Sequence, residues 1–502
     1  MSTRATSKRT GSKKATGTGL KKGRKASGKK AESSTDKTGV KHNATGLKVR
    51  MYRVGFGDFF LITVPTSTVD RYILIDCGVF KGTSGNGDIG SIEEAVEDLY
   101  KTTGGELALV IMTHRHADHI AGFARAEKFK EFKASMVWMP YWEQFNDSKD
   151  SAHNLQLDIH EAAMNLAMQF RGRTDKVAEL ALDQLSNATG VDFNAAAKGE
   201  KKGGSNAKAL DLLKNHLGEN GKNVKYYAAG DKAKLPPELE GLSAEILGPP
   251  PKEAQVFMKL TDLKKGVGQY LDATTDGIDG SAGMKAFQSQ WLAKSGDYPA
   301  RDLLDRPIEY QQISEFVDNS QPDMLAVAAQ EIDTFLNNQS LVVLFKFGDK
   351  KLLFVGDAQA GNWEHWLYKI DAPLKDPTKA GSFTAESHEI LRTLDFYKVG
   401  HHGSTNATPV PVVEALAKDL ADKGFVAMCS TQPDTYGNPE KGTEVPRDPL
   451  MKALAAECAL VRSDSFAITV GGKTIPAGVA ARLPRPKAGT LIKKGLYVEY
   501  SF

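Results

Sequence analysis

Thr113-His114-Arg115-His116-Ala117-Asp118-His119 is the stretch that decides how the rest of the chain is read. It follows an apolar run, residues 107–112, with the length and bounds of a buried strand. It leads into Ile120-Ala121-Gly122-Phe123-Ala124, the start of a helix. Three histidines and an aspartate therefore share one strand-to-helix turn. Imidazole and carboxylate suit Zn²⁺ and its neighbours. Residues at i and i+2 on a tight turn can converge on one ion, and the next pair can face a second. A lone histidine would be read as a polar loop residue, but a His-x-His-x-Asp-His cluster at a strand end reads as a metal site.

The 502 residues leave room for one large domain with insertions or for two to three ordinary ones. The net charge of +3 hides an asymmetry. Residues 1–48 hold 14 Lys and Arg against 2 Asp and Glu, so the remainder carries 51 against 60. A basic tail is thus joined to a mildly acidic body. Residues 1–46 are Lys, Ser, Thr and Gly with almost no large apolar side chains, the composition of a disordered segment. The plain reading of the tail is a solubilising one; the sharper reading is a grip on nucleic acid through counterion release. Cys77, Cys429 and Cys458 are too few and too far apart for a disulfide framework, which points to a reducing, cytoplasmic setting. No apolar run approaches the ~20 residues that span a membrane, and the basic N-terminus lacks the apolar core of a secretory signal.

Outward from the histidine turn, strands are expected at residues 48–54, 59–64 and 72–75, the last ending in Asp76-Cys77-Gly78. A helix is expected from Ser91 to Thr102, with Ser91 capping and Glu93 and Glu94 at its positive end. Residues 142–243 read as a mostly helical insertion, a lid or cap, with helical periodicity at 161–169, 177–185 and 208–217 and strand character returning at 223–229. His153 and His160 in it read as surface histidines. Residues 284–293 and 324–336 carry further helical pattern. A hairpin over 341–355 ends in Gly356-Asp357-Ala358, and a short strand at 397–399 leads to His401-His402-Gly403-Ser404. Residues 444–502 read as a C-terminal extension packed on the domain, with a helix at 451–460. Alternating strands and helices in two halves suit an α/β chain layered as an αββα sandwich over residues 47–443.

Several motifs recur in one order. They are Val54-Gly55-Phe56-Gly57-Asp58, Ile75-Asp76-Cys77-Gly78, the histidine cluster and Ala244-Glu245-Ile246-Leu247-Gly248-Pro249. Asn337-Asn338-Gln339-Ser340-Leu341-Val342, Leu353-Phe354-Val355-Gly356-Asp357-Ala358 and Lys398-Val399-Gly400-His401-His402-Gly403-Ser404 follow. Together they resemble the metallo-β-lactamase superfamily, and within it the hydrolase domain of the ComEC-type DNA-uptake proteins and their soluble relatives. The resemblance covers residues 47 to about 440, the insertion excepted. It implies a four-layer αββα fold and two divalent ions, Zn²⁺ first and Mn²⁺ as the alternative. It makes His114 and His116 ligands of the first ion, Asp118 and His119 ligands of the second, Asp357 the bridge and His401 the last ligand. His402 and Ser404 would stand beside them as proton donor or substrate contacts, and Asp76 would orient the metal turn from behind. Many superfamily members have a third histidine on the first metal; no histidine occurs between His216 and His365, so Asn338 or a water is expected there. Asn438-Pro439 stands where the relatives often show His-Pro, and the membrane domain of the ComEC proteins is absent.

Three functions remain open on these residues. The first is a metal-dependent phosphodiesterase or nuclease, in which a hydroxide held by two metals attacks phosphorus. Asp118 or Asp357 would hold its remaining proton, and His402 or a metal-bound water would protonate the leaving group. The second is a hydrolase of a small ester, thioester or lactam under a helical lid. The third is a non-catalytic module that binds nucleic acid or a protein partner.

Overall fold

The computed structural model describes residues 46–80, 90–144, 161–170, 173, 176–191, 193, 206–258, 322–370, 383–404, 408–420, 425–433, 435–437, 444–464, 468–470, 473–475, 481–482, 490–493 and 495–502. The basic tail up to residue 45, His153, His160, residues 284–293 and Asn438-Pro439 lie outside them. Among the described residues no helix is long and apolar enough to cross a membrane.

The protein is mixed α/β, built around two large sheets. The first begins as an antiparallel meander of β1 (Lys48–Tyr52), β2 (Phe59–Pro65) and β3 (Asp70–Cys77). Helix α1 (Ile92–Thr103) follows, started by a reciprocal cap: the Ser91 side chain accepts from Glu94 N–H while the Glu94 carboxylate accepts from Ser91 N–H. Then come β4 (Glu106–Leu107), β5 (Leu109–Ile111), α2 (Ala117–Arg125), β6 (Lys133–Ala134) and β7 (Val137–Pro140). Helix α3 (Lys176–Thr189), helix α4 (Asn206–Asp211) with a π-helical turn at Leu212–Leu217, and β8 (Val224–Tyr227) complete this half. Strands β5, β7 and β8 extend the sheet parallel to β3, while β4 and β6 form a small ladder of their own.

The second sheet begins with β9 (Leu242–Gly248). Helix α5 (Pro322–Asn338) precedes the hairpin of β10 (Val342–Phe347) and β11 (Lys350–Phe354). Helices α6 (Ala360–Tyr368) and α7 (Ala385–Arg392) then carry the chain to β12 (Phe396–Lys398), and α8 (Val410–Leu420) to β13 (Val426–Cys429). Helix α9 (Asp448–Glu457) leads to β14 (Ala459–Arg462). Strands β11 to β14 run parallel, each pair joined by helical crossovers, as parallel neighbours require. Strands β15 (Ile468–Val470) and β16 (Lys473–Ile475) end the sheet. Strands β17 (Ala481–Arg482), β18 (Thr490–Lys493) and β19 (Tyr497–Ser501) return to the first sheet, where β19 pairs with β1.

Side chains alternate along the strands and bury both faces of each sheet. Phe60, Ile62, Val343, Phe345, Phe354 and Phe396 belong to one apolar cluster drawn from both sheets. Phe59 and Leu61 point the other way, into a cluster with Val96, Leu99 and Phe123 of α1 and α2. Leu353 and Tyr397 likewise meet Trp363, Leu391, Leu416 and Leu454 from α6 to α9.

Of the described residues in 142–243, Ala209, Leu213 and Leu217 pack in the cluster of α1 and α2, and Val224–Tyr227 form β8 of the first sheet. Residues 444–502 supply β14 to β16 of the second sheet and β17 to β19 of the first. One expectation needs correction. The helix read over 451–460 stops at Glu457, because the backbone turns extended at Cys458 and enters β14.

The layout decides where chemistry can gather. Asp76 closes β3, the histidine turn follows β5, Asp357 follows β11, His401 and His402 follow β12, and Ser430 follows β13. All five points are carboxyl ends of parallel-paired strands, where open α/β sheets collect their ligands.

Candidate metal centre

The histidine turn is held from behind by Asp76. One Asp76 oxygen accepts from Thr113 N–H at 2.7 Å. The other accepts from the Thr113 hydroxyl at 2.6 Å and faces His119 Nδ1 at 2.7 Å. That pairing leaves His119 Nε2 directed inward. Gly78 lets the turn come this close: a Cβ there would lie 2.0 Å from the Asp118 carbonyl and 2.1 Å from His119 N. Backbone cannot yield as a side chain can, so Gly78→Ala is expected to shift the turn. We expect metal affinity to fall by roughly 10–100-fold, the range for disturbed outer contacts of a metal site. Calorimetric titration of Zn²⁺ into the variant would measure it; an unchanged affinity would show that the turn tolerates the displacement.

Inside this frame the ring nitrogens and carboxylates converge. His114 Nε2 lies 3.1 Å from His116 Nδ1. His119 Nε2 lies 3.2 Å from Asp357 Oδ2. His402 Nε2 lies 3.2 Å from Asp118 Oδ2 and 3.5 Å from Asp357 Oδ2. Among the described residues three groups have metal-ligand spacing, Asp118–His119–Asp357–His402, His114–His116–Asp118 and Asp58–Asp76–His119, and Asp118 belongs to the first two. Asp118 Oδ1, His119 Nε2, Asp357 Oδ2 and His402 Nε2 are buried without a hydrogen bond. Buried polar atoms are nearly always satisfied. A set of such atoms pointing at one spot therefore fits divalent cations, and the donor types suit Zn²⁺ or Mn²⁺.

Two predicted ligands are corrected by this geometry. His401, expected as the last ligand, faces away: its Nε2 is 3.4 Å from Asn337 Nδ2 and its Nδ1 3.4 Å from Gln359 Nε2. His402 takes its place. The backbone is left-handed at His401, His402 and Gly403, which swings the second ring inward. There its Nδ1 donates to Ser430 O at 2.8 Å, which turns Nε2 toward the cluster. Ser404 closes the same turn through its N–H to His401 O. Asn338 does not stand at the first metal either. Its Oδ1 accepts from Gln359 and Asn362 N–H, capping α6, and its Nδ2 donates to Met258 O.

Three functional side chains escaped the sequence reading. Lys398, fully buried, contacts Asp58 and donates to Gly356 O at 2.8 Å and Asp357 Oδ1 at 3.2 Å. Asp58 also accepts from the Ser430 hydroxyl. Asp333, on α5, lies 3.6 Å from His116 Nε2. Asp58 and Lys398 stood in the quoted motifs, and a lysine at a buried strand end was a usable signal. Asp333 gave none, being one acid in a helical pattern. Five buried carboxylates (Asp58, Asp76, Asp118, Asp333 and Asp357) thus face one buried ammonium, and two divalent ions would bring the set to neutrality.

The electrostatics follow from this imbalance. Burial first, and the neighbouring His119 with it, push His116 down to about 4 and His114 well below the usual imidazole range. Burial also disfavours charge on His119 and His402, but the neighbouring carboxylates, Asp357 foremost, outweigh it and raise both. Burial pushes Asp333 well up, and Asp118 and Asp357 push it further. A metal ion needs the lone pair that a proton on His119 or His402 occupies. Metal uptake is therefore expected to release protons, and apparent affinity to rise with pH across neutrality. Titrating Zn²⁺ in two buffers of different ionisation enthalpy counts those protons, and identical heats in both would refute the expectation.

No protein-family model matches the chain, and no curated protein does either. What the fold and site define is a candidate metal centre at the strand ends of a mixed α/β protein.

Proposed function

We propose that the chain is a hydrolase of the metallo-β-lactamase type, with the four-layer αββα arrangement, two divalent ions and phosphodiester substrates, nucleic acid first among them. The observation that carries this reading is the set of four buried ligand atoms without hydrogen bonds around Asp118 and Asp357. The apolar cluster shared by the two sheets, and the helix-lined clusters on their other faces, support the layering. A bound pair of divalent ions would lower the pKa of a water and stabilise both oxygens of an in-line displacement.

The chain's own groups divide the rest of the work. Lys398 Nζ and His401 N–H hold Asp357 Oδ1, so only Oδ2 faces the cluster. Asp118 Oδ1 takes the proton of the attacking water. His402 is fixed by Ser430 O as a ligand and not as an acid. His401 turns its two ring nitrogens to Asn337 and Gln359, so a solvent water protonates the leaving oxygen.

A hydrolase of small esters, thioesters or lactams is the second reading, and one observation favours it. Tyr436 stacks near Phe56, whose ring lies 4.2 Å from His402. Burial, then Asp333, Asp183 and Asp118, push its phenol well above the usual range. A wall beside the site that is crowded with carboxylates suits an uncharged substrate better than a polyanion.

The deciding experiment is cleavage of labelled single- and double-stranded DNA and RNA by protein loaded with Zn²⁺ or Mn²⁺, beside His116→Ala. Cleavage that His116→Ala abolishes establishes a nuclease. If neither metal supports cleavage, esters, thioesters and lactams are assayed next. If those are also unturned while nucleic acid binds equally to both proteins, the binding-module reading stands.

A further inference from the structure

The helical segments beside the site touch the metal turn twice. Asn187 of α3 accepts from Asp118 N–H through its Oδ1 at 3.1 Å. Asp333 of α5 lies 3.6 Å from His116 Nε2 through its Oδ1. Helices α3 and α5 also pack on one another, through Ala181, Leu185 and Ala329. We propose that Asp333 is the positioning carboxylate of His116, accepting its Nε2–H so that Nδ1 is held on the first metal ion. This rests on the reading that His114 and His116 share an ion.

The argument begins with the rings. His114 Nε2 and His116 Nδ1 are 3.1 Å apart. Two nitrogens that each bind Zn²⁺ at about 2.0–2.1 Å stand at about that separation. Nδ1 is then the ligand atom of His116, and the proton of the neutral ring sits on Nε2. That nitrogen is buried and makes no hydrogen bond. Histidine ligands almost always donate their second N–H to a carboxylate, a carbonyl or a water.

Asp333 supplies what Nε2 lacks. The side chain is buried on α5, and its Oδ2 accepts from Asn337 Nδ2 at 3.2 Å, one helical turn on. Oδ1 is the oxygen turned toward His116, at a distance that a small rotation of either side chain closes. The arrangement parallels Asp76 behind His119, but it comes from a different part of the chain. Helices α3 and α5 therefore hold the metal turn as well as flank it.

Zn²⁺ affinity and stoichiometry, and the visible spectrum of the Co²⁺-loaded protein, would be measured for wild type, Asp333→Asn, Asp333→Glu, Asn337→Ala and His116→Ala. Asp333→Asn is nearly isosteric and is expected to weaken one of two ions by about 10–100-fold and shift the Co²⁺ bands. Asp333→Glu is expected to recover part of the loss. Asn337→Ala, which loosens the carboxylate and also removes the amide beside His401, is expected to show a smaller loss, and it serves as the test if Asp333→Asn does not fold. Two ions at wild-type affinity with an unchanged spectrum in Asp333→Asn, or failing that in Asn337→Ala, would overturn the proposal while His116→Ala still loses an ion. Wild type that binds no ion, or His116→Ala indistinguishable from it, would overturn the metal centre itself.

Discussion

Asp357→Asn is expected to abolish hydrolysis and to reduce the bound ions from two to one. Asp357 Oδ2 lies 3.2 Å from His119 Nε2 and 3.5 Å from His402 Nε2, so one carboxylate oxygen reaches both rings. Its partner oxygen is already engaged by Lys398 and His401 N–H. An amide keeps the shape and removes the charge. A loss of about 10³-fold in kcat corresponds to about 4 kcal/mol of transition-state stabilisation, well within reach for a dinuclear centre reduced to one ion. Metal content by mass spectrometry and turnover would be read on the same preparation. Activity within tenfold of wild type, with two ions retained, would remove Asp357 from the bridging position.

The second large effect concerns stability. Lys398→Met is expected to destabilise the fold by about 3–5 kcal/mol, the cost of breaking a buried ion pair and leaving carboxylates uncompensated. Burial opposes the charge on Lys398, yet Asp58 and Asp357 hold its ammonium above the usual lysine range, so it is charged and serves both. The loss would be read from the midpoint of chemical unfolding in the presence of a chelator. Saturating Zn²⁺ should restore part of it, because dications supply the missing positive charge. The double variant Asp58→Asn/Lys398→Met should lose less than the sum of its singles, since the second change removes a charge that the first left unpaired. An unchanged midpoint for the single variant would mean that the ammonium is not the counter-charge of this cluster.

The parts of the protein that local chemistry dictates were legible in the sequence. Apolar runs marked β1, β2 and the β10–β11 hairpin, and Ser91 with Glu94 marked the start of α1. The histidine turn and Asp357 were legible for the same reason, each being a short motif at a strand end. What failed depended on direction or distance. His401 and His402 are adjacent and chemically alike, and only the left-handed turn through Gly403 selects between them. Asn338 is polar and near the site, but it is consumed in capping α6. The helical pattern of residues 208–217 was visible, while its place against α2 was not, because the partner surface lies some ninety residues earlier. Asp333 reaches His116 across more than two hundred residues, a separation at which no local pattern operates.

The pairing of β19 with β1 has a consequence for the order of events during synthesis. Arg50 and Glu499 meet across 449 residues. A ribosome adding about 5–20 residues per second needs roughly 20–90 s to cover that distance. Over that interval β1 has its partner β2 on one side and an open edge on the other, and open edges invite pairing with foreign strands. The first sheet can therefore assemble around the histidine turn well before it is sealed. Nascent chains halted before Tyr497 should be the ones that a strand-binding chaperone, or a neighbouring copy of the chain, captures most readily.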